Sequence, residues 1–240
     1  MQPGIADQSV PAGGVPSEPF PRDPPGPVAS ILTLGERDRM NDIWKAINQI
    51  AGGHSNLRLA IHKREDLNEK NDDEWTPYMW AVRCGLQDAA DELKDAGADT
   101  SGHFDAALLN AVLNNDLQRG IHALKNGANP NRRFAGSSII GCAASHGLDQ
   151  LVVAMIAHGA KIESEMLFEV CHWETADWKV DSQEHVAAFA NVVRAFLDAG
   201  ADPSVRNADG QTPLEAIEGD GLSAVEAVLR NAQQDVPPNA

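Results

Sequence analysis

The chain has 240 residues, 42% of them hydrophobic, and a formal net charge of −16. That is enough apolar material for one sizeable domain or two small ones. No run of about eighteen apolar residues is present, so no membrane span is expected, and a surface this acidic repels phosphate backbones, which argues against nucleic-acid binding and for a partner with a basic face.

Met1 is followed by Gln2, Pro3 and Gly4 rather than by a basic stretch and an apolar segment, so no export signal is expected. Cys84, Cys142 and Cys171 form an odd set without paired spacing. Such thiols suit a reducing, cytoplasmic compartment, where they serve as small apolar residues. Residues 1–30 hold eight of the fourteen prolines and almost no periodic apolar positions. They read as a disordered tail, because they bury too little surface to offset their ordering entropy. Within them, Pro16-Ser17-Glu18-Pro19 and Pro24-Pro25-Gly26-Pro27 fit either a spacer or a polyproline II ligand.

Residues 31–66 carry two helical patterns, near 39–50 and 56–63, rich in charged residues such as Arg39, Lys45, Arg58 and Lys63. Beyond them an internal repeat appears. The pair Gly-Ala recurs at Gly97-Ala98, Gly127-Ala128, Gly159-Ala160 and Gly200-Ala201, at steps of 30, 32 and 41 residues. Each pair closes an amphipathic stretch, where a helix end calls for a left-handed residue. A shorter helix precedes each stretch. Thr76-Pro77 and Thr212-Pro213 set a capping hydroxyl ahead of proline at the first helical position. Gly85, Gly147 and Gly221 mark the turns into the second helices. Helices this short are marginal alone and become stable by stacking on their neighbours.

The motifs resemble the ankyrin repeat family. Asn207-Ala208-Asp209-Gly210-Gln211-Thr212-Pro213-Leu214-Glu215-Ala216 is similar to the repeat signature, with Glu215 in place of the usual His. Asn71-Asp72-Asp73-Glu74-Trp75-Thr76-Pro77 is a second copy, with Glu74 in place of the usual Gly. A third copy begins at Ser138 and lacks the proline, and two degenerate units lie around 105–127 and 165–200. The resemblance implies an all-α solenoid of about five stacked helix-turn-helix pairs over residues 67–232, with short or absent β-hairpin loops. Residues 31–66 would be its N-terminal cap and residues 233–240 a polar tail. The joints at 97–106 and 159–165 are too short for full hairpin fingers, and the long step to Gly200 implies an insertion near residues 173–185.

The resemblance also implies protein–protein interaction through a concave surface built from hairpin tips and first-helix ends. The residues of this chain at those places are Trp75, Arg83, Asp105, Asn114, His146, His172, Trp173 and Trp178. Trp75 leads, because tryptophan and arginine dominate interface energetics. The alternative for Trp75 is a hairpin residue packed on its neighbour. Trp173 and Trp178 flank the insertion and either contact a partner or fold back onto the stack, whereas Trp80 faces the core. A dedicated inhibitor or immunity protein occluding a basic enzyme is a narrower version of the same reading. The rival class is an enzyme or metal site using Cys171, His172 or His146. Against it, no metalloprotease His pair, nucleophile elbow, phosphate-binding loop or Cys-x-x-Cys occurs. Cys171 and His172 would diverge by about 100° on a helix, which does not suit a shared metal. The chain is expected to need no cofactor or metal and to be a monomer on its own.

Overall fold

The computed structural model describes residues 42–48, 54–63, 66–134, 136–171, 183–219 and 221–235. Two helices open it, α1 (Asp42–Asn48) and α2 (His54–His62). Five helix pairs follow: α3 (Pro77–Arg83) with α4 (Gln87–Asp95), α5 (His103–Leu113) with α6 (Leu117–Lys125), α7 (Ile139–Ser145) with α8 (Asp149–Ala157), α9 (Met166–Cys171) with α10 (Gln183–Asp198), and α11 (Pro213–Ile217) with α12 (Ser223–Asp235). Successive first helices touch along one layer from α1 through α3, α5, α7 and α9 to α11. On the other layer α2 meets α4, and α6, α8, α10 and α12 follow one another. This two-layer stack of helix pairs is the all-α solenoid that the motifs implied. Among the described residues, no helix is long and apolar enough to cross a membrane.

Local chemistry sets the helix boundaries. The Thr76 hydroxyl accepts from the Met79 amide, and Thr212 forms a reciprocal capping box with Glu215. Ser138, where the third copy lacks proline, caps α7 by accepting from the Gly141 amide at 3.1 Å. Each cap satisfies a backbone donor that a helix start leaves without an intrahelical partner. At the other ends Gly97, Gly127, Gly159 and Gly200 all adopt positive φ between 89° and 98°. The following alanine amides bond back to Leu93, Ala123, Met155 and Phe196, closing the same left-handed cap four times.

A second device ties the units together at these caps. The amide of the residue after each Gly-Ala bonds to a side chain of the unit before it. Asp99 bonds to Asn68 (2.8 Å), Asn129 to Asp105 (2.7 Å), Lys161 to Asn131 (2.7 Å) and Asp202 to Ser164 (2.9 Å). The loops therefore turn tightly with their polar groups paired, and the joints at 97–106 and 159–165 form no strands. A two-residue hairpin, β1 (Arg133–Phe134) with β2 (Ser137–Ser138), stands between α6 and α7.

The core runs through the stack, filled by Leu93, Leu108, Leu109, Ile139, Ile140, Met155, Leu167 and Phe196, all fully buried. At the N-terminal end it is aromatic. Trp44 and Trp80 meet edge-on at 5.8 Å between ring centroids, and the Trp44 indole N–H donates to the Glu69 carbonyl. Trp80 is a core residue, as expected. The expected tail at 1–30, most of the insertion and the polyproline motifs lie outside the described residues, as does 236–240 of the tail expected at 233–240, whose first three residues instead continue α12 to Asp235.

Candidate partner-binding surface

The hairpin between β1 and β2 projects Phe134 back into the aromatic end of the core. Its ring lies 6.2 Å from Trp75, nearly perpendicular, and 6.1 Å from Trp80. Trp75 is 0% exposed, and its indole N–H donates to the Arg133 carbonyl at 2.8 Å. The expectation that Trp75 offers an exposed anchor is therefore corrected. The indole is spent on holding the hairpin to the first unit. Arg132 reinforces that hold: its guanidinium sits 5.5 Å over the Trp75 ring and donates to the Glu74 carbonyl.

Arg83 is corrected in the same way, since its side chain is only 5% exposed. Its guanidinium carbon lies 4.6 Å from the Trp80 ring centroid and 4.5 Å from that of Phe134. Burial pulls its pKa down, with the neighbouring thiols of Cys84 and Cys142 opposing. Two desolvated cation–π contacts supply about 2 kcal/mol each, against a desolvation penalty of several kcal/mol for a buried ion (roughly the same magnitude or more). The rings thus offset the charge only in part. At the end of the same helix, the Asn110 side-chain amide donates to the Arg83 carbonyl at 2.7 Å.

Asp105 is committed to the fold rather than to a partner. One carboxylate oxygen accepts from the Asn129 amide, and the other lies 3.7 Å from Arg132. Burial pushes its carboxyl pKa up, and those two partners oppose the shift. Asn114 is exposed and donates to the Asn110 carbonyl. Asn115 beside it takes a positive φ of 50°, filling the place that Gly85 and Gly147 fill in other units. His146 is half-buried, with Nδ1 2.6 Å from the Cys142 carbonyl. His172, Trp173 and Trp178 lie outside the described residues.

Two cysteines sit close to Arg83. Burial pushes the Cys84 thiol up, and burial together with the Glu169 carboxylate raises Cys142 to about 11. Glu169 itself accepts from the Ser137 hydroxyl at 3.0 Å, joining the hairpin to α9. No three His, Cys, Asp or Glu residues among those described lie close enough together to hold a metal ion.

What the stack leaves exposed along the hairpin and first-helix side is polar. Asp72, Glu74, Arg133, Asp209 and Gln211 are exposed on the segments leading into first helices, and Asn114 and Asn115 at a first-helix end. Sequence reading missed Arg133 and Phe134. Between charged neighbours and Ala135-Gly136, they carry no periodic signal.

No protein-family model matches the chain, and no curated protein matches it. Among the solved structures similar to it are two ankyrin repeat domains. One is an ankyrin repeat domain from Acinetobacter baumannii AYE, 21% identical, with 80% of this chain and 97% of that one covered at a TM-score of 0.48. The other is the human ASB11 ankyrin repeat domain, 19% identical, with 83% and 100% covered at a TM-score of 0.39.

Proposed function

We propose that this ankyrin-type solenoid is a protein-interaction module that engages its partner along the hairpin and first-helix side, and that the partner is mainly basic there. The observation that carries the reading is a set of exposed polar residues along the hairpin and first-helix side in four of the five units: Glu74 and Gln211 ahead of α3 and α11, Arg133 on the hairpin, Asn114 after α5. Rows of this kind suit a macromolecular surface, where several small contacts act together. Of the residues first singled out, Asn114 and His146 keep a place in this surface; Trp75 and Asp105 support it from beneath.

The net charge of −16 supports the choice of a basic partner, because opposite potentials steer encounter and accelerate association. The test is capture of partners with the intact chain, followed by kinetics with purified components. Association should slow as salt is raised, while substitution of Asn114 or Gln211 weakens binding without altering the melting temperature. Binding that is indifferent to salt and to both substitutions contradicts the reading.

A further inference from the structure

Five of the described arginines have a carboxylate within 4 Å: Arg58 with Glu92, Arg119 with Asp116, Arg132 with Asp105, Arg206 with Glu215 and Arg230 with Glu226. Of the other three, Arg133 and Arg194 are exposed and donate to the Gly136 carbonyl and to Asn191 Oδ1. Arg83 is the exception. It is 5% exposed, and no carboxylate among the described residues reaches it, in a chain with 35 acidic residues against 19 basic ones. Its Nη1 makes a long contact of 3.6 Å to the Cys84 sulfur, a weak acceptor, and its Nε is buried without any partner.

The unused edge has a definite shape. With Nη1 turned to Cys84, the Nε and Nη2 side of the fork is left without a hydrogen bond, and that side accepts a carboxylate through two parallel bonds. The rings of Trp80 and Phe134 hold the guanidinium in place, so little order remains to be imposed on binding. Phe134 comes from the hairpin, which belongs to the surface proposed for the partner. The guanidinium is nearly enclosed and suits one inserted side chain rather than a broad contact.

We propose that Arg83 is the seat for a single Asp or Glu side chain of the protein partner, received between the hairpin and the end of α3. The proposal rests on the protein-binding reading above. It adds that an otherwise basic partner carries one carboxylate that this seat requires, which would make the contact selective as well as attractive.

The seat is tested without the partner. In the intact chain, the Nε–Hε signals of arginine are followed by nuclear magnetic resonance during titration with sodium acetate, with sodium chloride at matched ionic strength as the reference. Arg83→Lys, which keeps the charge but loses the fork, assigns the Arg83 signal. The expected result is a saturable shift of that signal with acetate, absent with chloride. Arg83→Met then removes the acetate response, with its fold checked by circular dichroism. An Arg83 signal that moves no further with acetate than with chloride overturns the seat, and so does an acetate response that survives in a folded Arg83→Met. Inorganic phosphate saturating the signal below the acetate concentration overturns the assignment to a carboxylate side chain. Because no partner enters the titration, its failure leaves the protein-binding reading standing, and a failed capture experiment does not alter its outcome.

Discussion

The indole of Trp75 donates a 2.8 Å hydrogen bond to the carbonyl of Arg133, 58 residues further along the chain. One side chain thereby locks the loop ahead of α3 to the hairpin ahead of α7, skipping the whole second unit. Trp75→Ala is expected to destabilise the fold by about 3–5 kcal/mol, as loss of a buried tryptophan does. Trp75→Phe, which keeps most of the packing, removes the hydrogen bond and leaves the Arg133 carbonyl without its indole donor, at a smaller cost of about 1–3 kcal/mol. Urea denaturation of both variants checks the order.

Glu74 sits at φ 64°, in the left-handed region where the equivalent Gly210 sits at 79°. A residue with a Cβ is strained there. Its ion pair with Lys70 is exposed and contributes little in return. Glu74→Gly should therefore raise the melting temperature, by about 2–4 °C for a domain of this size. A scanning calorimeter suffices to see it, and a lower melting temperature would show that the side chain matters more than the backbone.

Acid should loosen the stack through its loop carboxylates. The Ser101 amide and hydroxyl hold Asp99 below the usual carboxylate range, and the Ser204 hydroxyl and amide do the same for Asp202. A folded-state pKa below the unfolded one gives stability that is present above the unfolded value and lost as pH falls through the folded one. Asp105, raised by burial, has the opposite sign and gains on protonation. Asn129 already makes the same turn with an amide, accepting from the Asn131 N–H at 3.0 Å. Asp99→Asn with Asp202→Asn should thus fold normally and lose less stability between neutral pH and about pH 3 than the native chain. Urea midpoints at the two pH values give the comparison.

Cys84 and Cys142 should be poor nucleophiles in the folded protein. Burial suppresses both thiolates, and Cys142 titrates only at about 11. Site-resolved alkylation at pH 8 should modify these two thiols slowly in the native state and rapidly in urea. Fast native labelling of Cys142 would mean that α7 opens readily.

The parts of this fold legible in the sequence are those fixed within a few residues. The Gly-Ala ends, the Thr-Pro caps and the Gly85 and Gly147 turns depend on local backbone conformation, and the structure places them as read. The second unit looked degenerate because Asn115 adopts φ 50° where glycine is usual, which a short polar side chain tolerates. The burial of Trp75, Arg83 and Asp105 escaped the sequence for one reason. Their burial is decided by Arg133, Phe134 and Asn129, two dozen or more residues away, and no periodicity carries that information. The expectation for Trp80 succeeded because the helix period alone turns it inward.

The side on which the partner docks is tested most directly by hydrogen–deuterium exchange of the chain with and without its captured partner. The account predicts new protection at the hairpin around 133–138, at Asn114–Asn115 and ahead of α11 near Asp209–Gln211, with α4, α6 and α8 unchanged. Protection confined to the second helices, around the exposed Val153 on α8 for example, would contradict it.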